Sequence, residues 1–240
     1  MVNVVPMRPE DAVAAVIDTR DYETNRYLLI ATKRGMIKKT LFQEYDSSRK
    51  EGIIALNLKD GDEVVRVQPS SGDNDVLLIT KKGKAIRFKE DRVRPMGRTA
   101  TGVIGIKLDP DDEVVACEVV KPDATTDLLV VTEFGYGKRT KLSEFPRKGR
   151  GGKGVIAAKL TKPRGPIVGA VSVATEDEVF FISSDGQVIR VAVKNISRQG
   201  RPATGVRIMN LSADMAVSAI APSVTVAEEE DEKAQGQLPT

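Results

Sequence analysis

The residues that could do chemistry in this sequence are clustered cations. Segment 147–154 reads Arg-Lys-Gly-Arg-Gly-Gly-Lys-Gly. Glycines let a backbone approach a phosphate closely and present bare N–H donors, while the interleaved Arg and Lys supply positive charge. The segment is not a P-loop, because Gly154 follows Lys153 where that motif needs Ser or Thr. We interpret it as an anion-binding loop, with an ordinary flexible glycine-rich turn as the alternative.

Positive charge recurs elsewhere along the chain. Three further polar loops carry Arg49 and Lys50; Arg92, Arg94 and Arg98; and Arg198 and Arg201. A second set of cations follows short β-like runs, at Lys39, Arg87, Arg139 and Arg190. Repeated cations suit duplex DNA, which carries one negative charge per ~1.7 Å of axis. Aromatic residues are only 4% of the chain, which argues against stacking platforms for single strands. The alternative is that these loops are ordinary solvated surface.

The composition excludes the commonest catalytic sites. Histidine is absent and Cys117 is the single cysteine, so the sequence holds no Ser-His-Asp or Cys-His site and no thiolate zinc site. We interpret the pairs Asp60/Asp62 and Asp111/Asp112 as turn formers. We therefore predict no catalytic residue, no cofactor and no metal. Cys117 lies in an apolar run and is expected to be a buried thiol in a reducing cytoplasm.

The elements that must position these cations form a repeat. Four glycines spaced 48, 52 and 51 residues apart mark it: Gly35, Gly83, Gly135 and Gly186. Each follows a short apolar run that ends in Thr or Ser, and each precedes a cation by four residues. A second glycine recurs 17 or 19 residues later, at Gly52, Gly102, Gly154 and Gly205. A β-like run follows it and another run closes the unit, so four short strands per unit are expected.

This repeat predicts the fold class. Periods near 50 residues with four strands per unit are typical of propeller blades. No segment shows a sustained 3.6-residue period, so almost no helix is expected. We predict an all-β, β-pinwheel or propeller-like array of about four complete four-stranded blades, with repeats at about 28–69, 76–121, 128–174 and 179–222. Equivalent loops of a radial array share one rim, so the basic loops are predicted to form a track there.

The two ends of the chain depart from the repeat. Residues 1–27 match only the end of a repeat, with a third-strand motif at 2–6 and a closing strand at 12–17. We therefore predict a partial N-terminal blade and a chain that is a fragment, an engineered piece or a truncated product. The tail 223–240 carries five acids and one lysine, a charge of −4, which leaves +7 for residues 1–222. Its polarity predicts disorder. It either solubilises the chain or competes for the basic surface.

Four segments resemble the C-terminal domain of the A subunit of bacterial DNA gyrase. They are Gly35-Met-Ile-Lys-Lys-Thr40, Gly83-Lys-Ala-Ile-Arg-Phe88, Arg94-Pro-Met-Gly97 with Thr101-Gly102-Val103, and Gly135-Tyr-Gly-Lys-Arg-Thr140. The resemblance covers essentially residues 2–222. It implies a six-bladed β-pinwheel whose blades exchange strands. It also implies a rim that wraps double-stranded DNA in a right-handed sense, and a role in negative supercoiling together with the rest of gyrase A and with gyrase B.

The sequence also departs from that family's pattern. Four complete repeats are present, so about two blades are expected to be missing. The family's signature box, Q-R-R-G-G-K-G, belongs to the first blade, whereas the nearest match here lies in the third repeat, with Lys148 and Gly149 in place of Gln and the first Arg. This loop is expected to be an auxiliary box. The resemblance places the catalytic tyrosine and the ATP site outside this chain, so no topoisomerase activity of its own is expected.

Alternatives to this assignment stay open. The C-terminal domain of the topoisomerase IV C subunit has a related fold without an intact box, and a protein-binding propeller would show little salt-dependent affinity for DNA. No apolar run approaches the ~20 residues of a membrane helix, so we predict no membrane partner. We also predict no small-molecule substrate. Within the glycine-rich loop, the DNA-contacting residues are predicted to be Arg147, Lys148, Arg150, Gly151, Gly152, Lys153 and Gly154.

Overall fold

The computed structural model describes residues 13–17, 25–46 and 52–223. Within these ranges the regular structure is β-strand apart from short 3-10 turns, and no α-helix occurs. The strands are β1 (Tyr27–Thr32), β2 (Met36–Leu41), β3 (Val64–Ser70), β4 (Asp75–Thr80), β5 (Lys84–Lys89), β6 (Val103–Ile104), β7 (Val114–Val120), β8 (Asp127–Thr132), β9 (Tyr136–Lys141), β10 (Val155–Ile156), β11 (Ile167–Val173), β12 (Glu178–Ser183), β13 (Val188–Ala192), β14 (Val206–Arg207) and β15 (Val217–Pro222). The predicted all-β fold is confirmed.

Each unit opens with a hairpin whose turn is built by a hydroxyl residue and a glycine. In the second unit, the amide of Gly83 donates to the carbonyl of Thr80 at 3.0 Å, and the hydroxyl of Thr80 accepts the amide of Lys84 at 3.2 Å. Gly83 has φ +87°, a conformation that glycine adopts without the strain of a side chain. The recurring spacing of Thr or Ser before glycine in the four units therefore specifies a tight β-turn.

Each complete sheet takes its strands from two units. The strand orders are β3-β1-β2-β6, β7-β4-β5-β10, β11-β8-β9-β14 and β15-β12-β13. The short third strand of a unit pairs antiparallel with the second strand of the preceding unit, as Val103 does with Ile37 and Val155 with Ala85. The expectation that each unit contributes four strands therefore needs a correction in pairing. The strand exchange that the resemblance implied is present.

The exchanged strands are short, and within the described residues the first unit contributes none. β6, β10 and β14 span two residues each, and the β-like run that follows Gly52, residues 53–58, forms no strand. Within the described residues the fourth sheet has three strands, and no strand pairs with the outer edge of β13. The last sheet thus has an outer edge that no strand of the described ranges pairs with.

The core lies between successive sheets. Val76 and Leu78 of β4 point into the cluster shared with the first sheet, whereas Leu77 and Ile79 point into the cluster shared with the third sheet. All four are fully buried. A strand with a core on both faces has no polar face, which explains the continuous apolar runs of the sequence. Burial of each such side chain contributes about 1.5–3 kcal/mol.

The predicted partial N-terminal blade lies mostly outside the described residues. Residues 13–17 form no strand, and the Val16 side chain there is 78% exposed. The acidic part of the tail lies beyond residue 223 and is likewise outside the described ranges.

Candidate nucleic-acid interface

The basic loops lie at the outer edge of the sheets, against the second strand of the preceding unit. Isolated parallel bridges join them to that strand, at Lys39–Pro95, Arg87–Arg147 and Arg139–Arg198. The closing strands β3, β7, β11 and β15 occupy the opposite edge of their sheets and pack against one another in sequence. The loops therefore recur at one equivalent place along the array.

The same backbone hydrogen bond anchors all three loops. The amides of Met96, Lys148 and Gln199 donate to the carbonyls of Lys39, Arg87 and Arg139 at 2.9, 2.8 and 2.9 Å. Because each anchor is a main-chain contact, it depends little on the loop sequence. Loops of different composition consequently start from the same position on successive sheets.

One arginine in each loop latches onto the exchanged-strand segment of the unit before. The guanidinium groups of Arg98, Arg150 and Arg201 donate to the carbonyls of Ile54, Ile104 and Ile156 at 2.9, 2.7 and 3.2 Å. We call these three the latch arginines. Each is half-buried. A guanidinium has five N–H donors, so a latch arginine retains donors for an anion while it also joins two units.

Two further loop arginines share buried carboxylates with strand arginines. Asp75 is fully buried and accepts from Arg87 Nε at 2.8 Å and from Arg147 Nε at 2.7 Å. Asp127 binds Arg139 and Arg198 in the same way, with Nη1 of Arg139 at 3.2 Å and Nε of Arg198 at 2.8 Å. Each cluster holds two positive charges and one negative charge. Arg147 and Arg198 keep 40% and 41% of their side chains exposed, so the excess charge reaches the surface.

The predicted second row of DNA-binding cations requires correction. Lys39 and Arg87 are buried, at 4% and 7% exposure, and the Arg139 side chain is only 11% exposed. Lys39 Nζ lies 3.5 Å from Glu90 and 4.9 Å from the centre of the Tyr27 ring. These three side chains face neighbouring units because the second strand is covered by the next loop. Arg190 differs: it is exposed, on the edge of β13 that no described strand covers, and it pairs with Glu178.

The exposed cations of the loops are the ones free to meet a polyanion. Arg92, Arg94, Lys148 and Lys153 are exposed. Arg92 lies 3.8 Å from Asp91, its sequence neighbour, and Lys153 Nζ lies 3.8 Å from Asp109. Pairs this exposed contribute ~0–1 kcal/mol and do not hold these side chains away from a ligand. The predicted Arg49 and Lys50 fall outside the described residues.

The glycines of loop 147–154 serve different purposes. Gly149 has open space where a side chain would project, and Gly151 adopts φ +77°. Gly154 instead packs against the preceding unit: a Cβ there would lie 2.4 Å from the carbonyl oxygen of Ala85. Gly154 is thus required for strand exchange, as Gly102 and Gly205 are, whereas Gly149 leaves backbone accessible.

Sequence reasoning missed a set of lysines beside the loops. Lys107 and Lys159 both follow a second glycine by five residues and are exposed. Their amides donate to Gly152 at 2.9 Å and Ala203 at 3.4 Å, which puts each lysine next to the basic loop of the following unit. Exposed Lys89 and Lys141 end β5 and β9. The recurrence of lysine at these positions in two units was the available signal.

The described residues include no group of three Cys, Asp or Glu side chains that could hold a metal ion. Cys117 is buried, and burial raises the pKa of its thiol to about 12, so it is an inert core residue at neutral pH. No helix in the described part of the chain is long and apolar enough to cross a membrane.

Comparison with known proteins gives a consistent match. The family model described as "DNA gyrase C-terminal domain, beta-propeller" matches residues 26–71, 74–121, 126–174 and 177–223. The DNA gyrase A protein of Mycolicibacterium smegmatis is 40% identical over 235 residues, which are 97% of this chain and 27% of that protein. The DNA gyrase A protein of Salmonella typhimurium is 43% identical over 214 residues, 89% of this chain and 24% of that protein. The chain thus spans about a quarter of the length of these relatives.

Solved structures agree with the sequence comparison. A DNA gyrase A C-terminal domain superposes with a TM-score of 0.83 at 28% identity, covering 92% of this chain and 73% of that one. The C-terminal domain of a DNA topoisomerase IV superposes with a TM-score of 0.85 at 27% identity, covering 92% of this chain and 69% of that one. Both topoisomerase classes therefore share this architecture.

Proposed function

Because the chain belongs to the DNA gyrase C-terminal domain family, we propose that it binds duplex DNA along its basic outer edge and bends it, in support of negative supercoiling by gyrase. We further propose that residues 1–222 form the repeat domain and 223–240 an acidic tail, and that the setting is a bacterial cytoplasm. The partners would be double-stranded DNA, the remainder of gyrase A, and gyrase B. Strand cleavage and ATP hydrolysis would belong to those other parts.

One observation carries this proposal: three successive basic loops are held at equivalent places by the same backbone hydrogen bond. A regular spacing of cations suits a regular spacing of phosphates, since every strand of the duplex repeats its charge every ~3.4 Å. The contacts would be to the backbone, which position a protein on DNA without reading sequence. Bending 20–30 base pairs costs ~1–6 kcal/mol, which several phosphate contacts together can offset.

The residues proposed to contact DNA follow from exposure. The first group consists of the exposed cations Arg92, Arg94, Lys148 and Lys153, joined by Lys107 and Lys159. Arg147, Arg198 and the latch arginines form a second group, whose guanidinium groups already hold the loops. The accessible backbone at Gly149 and at the exposed Gly152 would let phosphates approach the third-unit loop, whereas the amide of Gly151 already donates to the carbonyl of Gly105.

Wrapping is tested by sealing nicked plasmid with ligase in the presence of the chain and measuring linking number at several salt concentrations. A positive shift that fades as salt rises is expected, because counterion release weakens at high salt. Lys148→Gln with Lys153→Gln should reduce the shift strongly. The matched control is Lys59→Gln with Lys162→Gln, which removes the same charge from exposed sites five residues before β3 and β11.

The outcomes separate the candidate functions. Salt-sensitive binding without a linking-number shift would mean that the chain binds DNA along its basic edge but does not wrap it. That result would favour the topoisomerase IV type of domain, which shares this fold. No binding at low salt, after removal of residues 223–240, would overturn the proposal and favour a protein-binding propeller.

A further inference from the structure

Two lysines are buried where a strand would ordinarily place an apolar side chain. Lys38 and Lys138 each follow the first glycine of their unit by three residues, and each is 1% exposed. Lys138 Nζ donates to the carbonyls of Gly200 and Arg201 at 2.6 and 2.7 Å. Lys38 Nζ donates to the carbonyl of Arg98, and to that of Ala55 at 2.6 Å. A buried ammonium is costly unless it is well bonded. Both lysines bond carbonyls of the next unit's basic loop, and Lys38 also bonds Ala55 of its own unit.

A glutamate from the same unit binds the same turn. Glu44 Oε2 accepts the amide of Arg98 at 3.2 Å, and Glu144 Oε2 accepts the amide of Arg201 at 3.3 Å. We call each pair, Lys38 with Glu44 and Lys138 with Glu144, a lysine–glutamate clamp. Both clamped turns are closed by the same hydrogen bond, from the fourth residue's amide to the first residue's carbonyl, at 3.1 Å in 97–100 and in 200–203.

The clamp is present in alternate units. In the second unit the equivalent positions are Ile86 and Arg92, and the loop they face is the glycine-rich one. Ile86 is buried, with its Cδ1 lying 3.7 Å from where a Cβ of Gly152 would project. The glycine-rich loop is therefore an internal comparison: it shares the backbone anchor of the other two loops but lacks the clamp.

We propose that Lys38 and Lys138 are positioning residues that hold the basic turns 97–100 and 200–203, and with them the latch arginines Arg98 and Arg201, in the shape that binds DNA phosphates. The inference rests on the proposed DNA-binding function. Neither ammonium group can touch DNA itself, because each is enclosed by its own strand and the loop above. Their contribution to affinity is consequently indirect.

The charges around the clamps give this role a pH dependence. Burial lowers the pKa of both lysines to about 8; Glu44 and Glu144 act in the opposite direction, while Arg98 and Arg201 lower the pKa further. The Tyr45 hydroxyl, 3.5 Å from Lys38 Nζ, has a raised pKa of its own and stays protonated. Each ammonium is thus present below pH 8 and lost above it. The chain has no histidine, so apart from the α-amino group few groups titrate in this window.

The test measures affinity of the full chain for a fluorescent duplex between pH 7 and 9, at several salt concentrations. Lys38→Met with Lys138→Met should weaken binding about tenfold at pH 7 and abolish the weakening that the unaltered chain shows as pH rises through 8. The slope of log affinity against log salt should stay the same, because buried lysines displace no counterions. Lys59→Met with Lys162→Met is the charge-matched control.

A second double variant tests the clamp without altering a buried residue, so misfolding does not explain its result. Glu44→Ala with Glu144→Ala changes only exposed side chains and makes the chain more positive, which by itself would strengthen DNA binding. Weaker binding by this variant would therefore support the clamp. Stronger binding by this glutamate variant would overturn the proposal. So would a lysine double variant whose affinity is unchanged, or whose salt slope drops by about two.

Amide hydrogen exchange separates this inference from the proposed function. Exchange at the Arg98 and Arg201 amides should accelerate in the lysine variant, while core amides of β8 stay protected. If the unaltered chain bound no duplex, the proposed function would fail. The clamp would be rejected separately, by exchange at these two amides that is the same in the lysine variant as in the unaltered chain.

Discussion

At the residue scale, the buried carboxylates decide which arginines are available. Asp75 has no exposed surface and is satisfied by two guanidinium groups from different units. A buried charge is tolerated only when it is paired and hydrogen-bonded. The Asp75 cluster therefore stabilises the junction between second and third units while it leaves one positive charge in excess beside the loop.

Removing that carboxylate should weaken the fold before it affects any ligand. Asp75→Ala leaves Arg87 buried, 7% exposed, without its partner, and loss of one member of a buried pair costs about 3–5 kcal/mol. We expect a fall of that order in the free energy of unfolding, measured by urea denaturation. Asp73→Ala, an exposed neighbour, should stay within about 0.5 kcal/mol. Equal stability of the two variants would show that the pair is not a structural contact.

A single exposed lysine offers the direct measure of phosphate contact. Lys148→Gln should reduce the magnitude of the salt slope by about 0.9, since one fewer phosphate is neutralised, and Lys59→Gln should leave the slope as it was. Fluorescence anisotropy with a duplex over a range of salt concentrations gives both values. A Lys148 variant with lower affinity and an unaltered slope would place this side chain outside the interface.

The engagement of the second cation row in pairs within its own sheets was predictable in principle from the sequence. An acid stands eight residues before the first glycine in three units, at Asp75, Asp127 and Glu178, and the arginine of each unit follows that glycine by four residues. In the first unit Tyr27 replaces the acid, and Lys39 replaces the arginine and lies over the ring. Charge alone indicated that these cations lie at the surface. The correlated change of both residues in the first unit indicates instead that the two positions contact each other.

At the element scale, the glycines mark contacts between units as well as turns. A Cβ on Gly135 would lie 2.4 Å from the carbonyl oxygen of Met209, in the segment that follows the exchanged strand β14. At Gly186, in the last hairpin, nothing lies within 4 Å. Both glycines have positive φ, +79° and +84°, so the two positions differ in contact and not in backbone conformation.

This difference gives a matched pair of substitutions. Gly186→Ala should cost about 1–2 kcal/mol, the strain of a left-handed alanine. Gly135→Ala should cost at least twice as much, because the methyl group also displaces the backbone of the exchanged strand. Urea unfolding of both variants gives the comparison. Equal losses would mean that the exchanged strand shifts easily and contributes little to joining the units.

The sequence patterns predicted where the strands lie better than they predicted which strands pair. The first and closing strands lie at the apolar runs, because a run buried on both faces has a clear composition. The second strands are not apolar, and their place followed from the turn at the first glycine. The spacing could not show that β6, β10 and β14 pair with the preceding unit, since a two-residue strand carries no periodicity. That exchange was available only through the resemblance of the segments to a known family.

At the scale of the whole molecule, the described residues leave one acceptor edge and one donor segment without a partner strand. The acceptor is the outer edge of β13, where Val188 is 54% exposed at the position equivalent to Ile37 and Ala85. The donor is segment 52–56, in which Gly52 has φ +79°, close to +73° for Gly154, yet pairs with no described strand. An open strand edge is a template for pairing with another chain.

We expect the chain to associate head to tail, with segment 52–56 of one copy added to β13 of the next. Sedimentation equilibrium should show mass rising with concentration. Val188→Lys and Ile53→Lys, which place a charge on the acceptor and on the donor, should each give monomers. A mixture of the two should form dimers and stop there, because only one intact acceptor and one intact donor meet in each pair, as a heterologous contact requires. Monomers in the mixture, or a mass independent of concentration in the unaltered chain, would show that these two edges do not recognise each other.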